Sequence, residues 1–181
     1  MQTSVEFLCD TMKIKKFNGF DKNGYLPYGV YNLNMEEFKS TFCKNSPKRE
    51  KIMEEYEKHL SEIKNTGYFP DHWIDGSFVS SKEDPSDIDT LTEFDGLKVD
   101  ENNDRQKIDD LIYNSKSRTN GLCHSLRIYQ YPPQDKERYK YFIESKLRIL
   151  IKLYGTDRIG IPKGIIHLLE RNDEIQNTGK I

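Results

Sequence analysis

The stretch from Trp73 to Phe94, WIDGSFVSSKEDPSDIDTLTEF, limits the fold more than any other part of the chain. It opens apolar, meets a Gly76-Ser77 pair, crosses a polar loop and resumes apolar around Asp87-Ile88-Asp89. The two apolar halves read as strands, about His72–Val79 and Ile88–Phe94. Alternate residues of a strand share a face, so Asp87 and Asp89 project together on either side of Ile88. Two ionised carboxylates so placed repel each other and resist burial. A cation or an arginine must offset that cost. Solvated carboxylates on an edge strand are the plainer alternative, but Ile88, Leu91 and Phe94 make an exposed strand less natural.

The rest of the chain supplies elements for that strand pair to pack against. Residues 1–33 read as a short strand at Val5–Leu8 and then an arm over the domain, carrying Phe17, Phe20, Tyr25, Leu26 and Tyr28. Asn34 with Glu37 forms a capping signal for one helix. Ser46 with Pro47 starts a second, with Ile52, Met53, Tyr56, Leu60 and Ile63 on one face and a stop at Gly67. DENNDRQKIDDLIYNSKS predicts an exposed helix with Ile108, Leu111 and Ile112 as its apolar seam, and LCHSLRIYQYPP a third strand. From about Asp135 a long helix places Tyr139, Phe142, Ile143, Leu147, Leu150, Ile151 and Tyr154 on one face and ends at Gly155. One short apolar stretch, Ile165–Leu169, follows before the sequence frays. The expected fold is α/β (α+β), a small mixed sheet flanked by helices: an arm over 1–33, a domain over 34–170 and a flexible tail over 171–181.

A length of 181 residues suits one domain, and aromatic residues at 12% can build its core. A formal net charge of -2 gives no global electrostatic case for nucleic acid, so any basic patch must be local. Cys9, Cys43 and Cys123 are widely spaced and lack a CxxC pair, which fits a reducing, cytoplasmic setting better than disulfides or zinc. No apolar run reaches the length of a membrane helix and no signal-peptide pattern opens the chain. The expectation is a soluble cytoplasmic protein without a membrane partner, its oligomeric state open.

Each part of the Gly76-Ser77…Asp87-Ile88-Asp89 pattern suits polyphosphate chemistry. Gly76 has no Cβ to keep the backbone from a phosphate chain. Ser77 offers a hydroxyl and an N–H at a turn. Asp87 and Asp89 can hold one or two Mg2+ (or Mn2+) ions that bridge them to a nucleoside triphosphate. Gly-Ser, nine residues and Asp-x-Asp resembles the signature of the nucleotidyltransferase superfamily, here DGSFVSSKEDPSDID. GYLPYG near the N-terminus and RIGIPKGI near the C-terminus resemble one small bacterial branch of that superfamily, which extends the likeness over most of the chain. The resemblance implies a minimal nucleotidyltransferase fold and transfer of a nucleoside monophosphate from a triphosphate to a hydroxyl of a protein or tRNA. Settings in that superfamily include toxin–antitoxin pairs and phage defence. Gly76 and Ser77 would then hold phosphates, with Lys82 in the loop facing the nucleotide, and Asp87 and Asp89 would hold the metal.

One departure stands out. The superfamily carries a third carboxylate on a later strand, where this chain has Cys123-His124 and no Asp or Glu from 124 to 133. His124 is the candidate general base, since imidazole takes a hydroxyl proton near neutral pH. The competing expectation is a catalytically impaired nucleotide- or partner-binding protein on the same fold. A metal-dependent nuclease is disfavoured, because it does not need Gly-Ser at this spacing. Asp75 reads as a local turn or arginine contact, Lys82 equally as a solvated loop lysine, and Arg158 and Lys163 as phosphate contacts or packing. Lys146, Arg148 and Lys152 read as the solvated face of the long helix.

Overall fold

Helices begin where the sequence supplies caps. The computed structural model describes residues 14–44, 46–69 and 71–169. Helix α1, Met35–Phe42, opens on a reciprocal cap: the Asn34 side chain accepts from the Glu37 N–H, and the Glu37 carboxylate accepts from the Asn34 N–H, both at 2.9 Å. Helix α2, Pro47–Lys64, starts with the Ser46 hydroxyl accepting from the Arg49 N–H and proline in its first turn. It buries Ile52, Met53, Tyr56, Leu60 and Ile63, the face read from the sequence.

Five strands form one mixed sheet: β1 Val30–Asn34, β2 Asp71–Asp75, β3 Ile88–Asp95, β4 Cys123–Gln130 and β5 Ile165–Leu169. Their spatial order is β1-β5-β2-β3-β4. The pairs β1/β5 and β3/β4 run parallel, and β5/β2 and β2/β3 antiparallel. The expected mixed sheet flanked by helices is therefore present, and it contains two strands, β1 and β5, that the sequence reading does not have. Strand β5 lies inside the sheet and reads as a plain apolar run, which periodicity cannot assign. Strand β1 closes the arm and pairs with β5, far off in sequence. Strand β2 is shorter than predicted: Gly76, at φ 85 and ψ -167, ends it, and Ser77–Val79 make a 3-10 turn.

After β3 the chain forms α3 Gly96–Glu101, α4 Arg105–Tyr113 and α5 Ser115–Arg118 rather than one exposed helix. Asn103, at φ 55, breaks the path between α3 and α4. Helix α6, Lys136–Leu147, runs on into a π-helical turn, Arg148–Tyr154. A π-turn holds more residues than an α-turn, so the seam rotates. Phe142, Leu150 and Tyr154 are buried with Tyr139, Ile143 and Ile149 beside them, whereas Leu147 and Ile151, predicted to face the core, are half-buried outside that cluster. Lys146 also departs from its predicted solvated place: its ammonium lies 2.6 Å from buried Glu93 and 5.1 Å from the Trp73 ring centre.

The sheet separates two apolar layers. Helices α1 and α2 cover Ile74, Ile88, Ile166 and Leu168, while α6 and the π-turn cover Trp73, Leu91, Ile128 and Ile165. A smaller cluster joins Ile63, Phe94, Val99, Ile108 and Ile112. Among the described residues no helix is long and apolar enough to cross a membrane. Val5–Leu8, Cys9 and the tail over 171–181 lie outside the described residues.

Candidate functional site

Sheet register sets Asp75, Asp89 and His124 side by side on β2, β3 and β4. Alternation places all three on the face that α6 and the π-turn cover. The His124 Nδ1 lies 3.2 Å from Asp89 Oδ1, with the imidazole 44% exposed. On the other side Asp89 presses against Gly76, where a Cβ would come within 2.1 Å of Oδ2. Gly76 is thus required twice, by its positive φ and by the carboxylate lying on it. Burial raises the Asp89 pKa, and the Asp87 charge adds to that rise while His124 and Lys163 oppose it.

Asp87 comes just before the strand. Strand β3 begins at Ile88, so Asp87 lies in the loop at the strand's mouth, half-buried, and accepts a hydrogen bond from the Ser86 hydroxyl at 2.7 Å. Ser77 opens the 3-10 turn after Gly76, and its hydroxyl makes no hydrogen bond among the described residues. The loop beyond is tied down by Arg49, which is 6% exposed. Its guanidinium donates to the carbonyls of Phe42, Phe78, Ser80 and Lys82 and lies over the Phe78 ring. Lys82 is held through its backbone, and its side chain is exposed.

Two further residues of the site, Asp75 and Lys163, have a partner that the sequence reading did not give them: each other. Asp75, 3% exposed, pairs through Oδ2 with the Lys163 ammonium at 2.5 Å, while its buried Oδ1 has no hydrogen-bond partner. Burial pushes the Asp75 pKa up to about 7 despite Lys163 and the Gly76 N–H. Asp75 sits in the same alternation as Trp73 and directly opposite Asp89, a register visible only once β2 and β3 are paired. Lys163 arrives from the turn after the π-helix, within RIGIPKGI, where the sequence marks the residue but not its partner. Its own N–H donates to the Gly155 carbonyl at 2.9 Å, and the next N–H, of Gly164, donates to Leu26 at 2.7 Å. The Tyr25 hydroxyl donates to Asp157 at 3.2 Å. GYLPYG and RIGIPKGI therefore lie on each other, and the Ser81 N–H donates to Gly24 at 2.8 Å to join the site loop to the same arm. Arg158 lies in this turn, exposed and away from any ion pair among the described residues.

Asp87 and Asp89 are hard oxygen donors. No group of three or more His, Cys, Asp or Glu able to hold a metal ion occurs among the described residues. Such a pair fits an Mg2+ ion that takes one or two carboxylates and fills its octahedron with waters and substrate phosphates, and does not fit an all-protein metal cage.

Neither the curated proteins nor the solved structures contain a match to this chain. A family of unknown function, DUF6932, matches residues 18–169, a span that includes the arm, the Gly76–Asp89 loop, His124 and Lys163. With so much of its length matched, the chain belongs to the DUF6932 family.

Proposed function

We propose that the chain is a metal-dependent nucleotidyltransferase, which moves a nucleoside monophosphate from a nucleoside triphosphate to a hydroxyl of a protein or RNA acceptor. The observation that carries the reading is the contact of Asp89 with Gly76 on one side and His124 on the other. A Cβ-free turn, a carboxylate and an imidazole therefore stand in a row, with the unengaged Ser77 hydroxyl next along the chain. When bound, Mg2+ or Mn2+ neutralises charge on the triphosphate. Asp87 and Asp89 would hold the metal, and Gly76 and Ser77 would take the phosphate oxygens. The acceptor oxygen bonds to the α-phosphorus, the bond from that phosphorus to the β-phosphate oxygen breaks, and pyrophosphate leaves with the electron pair. His124 takes the hydroxyl proton. With Nδ1–H donating to Asp89, its Nε2 keeps the free lone pair, and the developing imidazolium is stabilised by the same carboxylate.

The test is incubation with each labelled triphosphate, Mg2+ or Mn2+ and host extract, followed by pyrophosphate release and labelled acceptor. Asp89→Asn should abolish turnover, and His124→Ala should slow it about a hundredfold or more. A second reading, a nucleotide-binding protein on an enzyme's fold, draws on His124 standing where a third carboxylate would complete the site. It is supported if wild type binds triphosphate without turnover and His124→Asp gains it. Neither binding nor turnover in wild type or His124→Asp would end both readings.

A further inference from the structure

Strand β4 is the outermost of the sheet, and half of its free edge is open. The Ile88 N–H donates to the Leu122 carbonyl at 3.0 Å, and the register between β3 and β4 runs unbroken from Cys123 to Gln130. Peptide groups of a strand alternate in direction, so the even-numbered ones face β3 and the odd-numbered ones face outward. The first two outward N–H groups are taken. Cys123 donates to the Thr119 hydroxyl at 2.9 Å and Ser125 to the Ser115 hydroxyl at 3.1 Å, so α5 closes that half of the edge. Arg127 and Tyr129 come next, and their outward N–H and C=O groups have no partner among the described residues. Neither side chain guards the edge, since both turn to Asp109 on α4. Natural sheets cover or blunt an edge of this kind.

A cavity of about 510 Å³ lies along the open half. Ile128, Phe142 and Ile149, from the apolar layer under α6, wall one side. Arg105, Arg127 and Tyr129 wall the other. The four lining arginines are met by as many carboxylates: Arg105, Arg127 and Arg138 pair with Asp100, Asp109 and Asp135, and Glu137 lines the cavity with Arg148. The cleft therefore has no net charge to draw in an acidic or a basic ligand. What it leaves unpaired is backbone donors and acceptors at strand spacing, and a neutral polypeptide backbone matches them. We infer that the open half of β4 takes an extended segment of a partner polypeptide as a further strand of the sheet. Alternation gives that segment a pattern: apolar side chains toward Ile128, Phe142 and Ile149, and uncharged polar ones between them, beside the committed Arg105 and Arg127. The edge is recessed between Arg105 of α4 and Tyr141 and Arg148 of α6 and the π-turn. A single strand enters such a cleft, whereas a second copy carries the same helices beside its own β4. The open half is also the end of β4 away from His124, with Ile128 four residues or roughly 13 Å along the strand at 3.3 Å per residue. The segment therefore docks at a distance from the chemistry proposed above, and its binding does not depend on the transferase reading.

Selecting a phage-displayed library of random dodecapeptides on the full chain, and synthesising the best binder, tests the edge. Enriched sequences should be neutral, with apolar residues at alternate positions. Backbone N-methylation scanned along the synthetic peptide should weaken binding at least about tenfold at every second residue and little between, because only alternate N–H groups face β4. In the protein, the Arg127 and Tyr129 amides should exchange with solvent at least about tenfold more slowly at saturating peptide. No enrichment, a methylation profile without period two, or unaltered exchange at both amides would overturn the inference. So would protection of both amides in the free chain at every concentration, which would mean that another segment of the same chain already covers the edge. Protection that grows with protein concentration alone would make a second copy the occupant and overturn the choice of a partner.

Discussion

Gly76 and Lys163 show how far single side chains determine the site. At φ 85 and ψ -167 the Gly76 backbone is open only to glycine, and any Cβ would strike Asp89. Gly76→Ala should therefore cost at least about 1–3 kcal/mol in urea denaturation, and should displace the Asp89 carboxylate. A loss below about 0.5 kcal/mol, the size of an ordinary surface change, would mean that the turn relaxes and that the close approach is dispensable. Lys163 carries the opposite kind of dependence, since its ammonium offsets a carboxylate that is 3% exposed. Above about pH 7, where Asp75 is ionised, Lys163→Met leaves it buried without its cation and should cost about 3–5 kcal/mol. Adding Asp75→Asn should recover much of that loss, because a neutral pair replaces a stranded charge. If the double variant is no more stable than Lys163→Met alone, the pair is not coupled. The two residues were unequally legible. The glycine sits inside a local pattern whose spacing announces it, whereas RIGIPKGI marks Lys163 without saying that it acts on a carboxylate 88 positions away.

At the scale of elements, legibility followed how local each element's cause is. The caps at Asn34 and Ser46 and the α2 seam depend on neighbours within a turn or two, and the structure has them where the sequence puts them. Strand β1 depends on β5, and β5 on β1 and β2, all far apart in sequence, and both were missed for that reason. The π-turn lies between. Nothing in LRILIKLYG distinguishes it from α-helix, yet it decides which residues reach the core. The corrected seam is open to a direct comparison. Leu150, 1% exposed in the cluster under α6, should lose about 2–5 kcal/mol on truncation to alanine. Leu147→Ala, at a half-buried position outside that cluster, should lose clearly less, and chemical denaturation of the two variants side by side distinguishes them. Equal losses would mean that the helix keeps α-helical spacing through Tyr154 in solution. Strand β3 starts at Ile88, where the sequence puts it, and Asp87 just before it is near enough for its charge to act on Asp89.

Across the whole molecule, β2 carries opposite titrations on the two faces of the sheet. His72 points toward α2, stacks on Tyr56, and its Nδ1 lies 3.0 Å from the Thr92 hydroxyl. Burial lowers its pKa from 6.5 to about 3, so the folded protein keeps it neutral where the unfolded chain would protonate it. Between pH 6.5 and 3 the unfolded state therefore binds more protons, and stability is lost as the pH falls through that window. His59, on the same face and also shifted down by burial, acts in the same direction. Asp75, three residues along on the other face, is held up to about 7 and works against them. From about pH 4 to 7 the fold holds the Asp75 proton that the unfolded chain has released, so its contribution weakens as the pH rises. The wild-type profile mixes both signs, and the informative quantity is a difference. His72→Asn keeps a polar group near Thr92 without a titrating ring. Taken to pH 4 in urea, wild type should lose stability relative to this variant steadily from pH 6.5 downward, whatever the offset between them at pH 7.5. A difference that stays flat across that range would mean the imidazole is protonated inside the fold, and that the space between α2 and β2 admits the water which its burial now denies it.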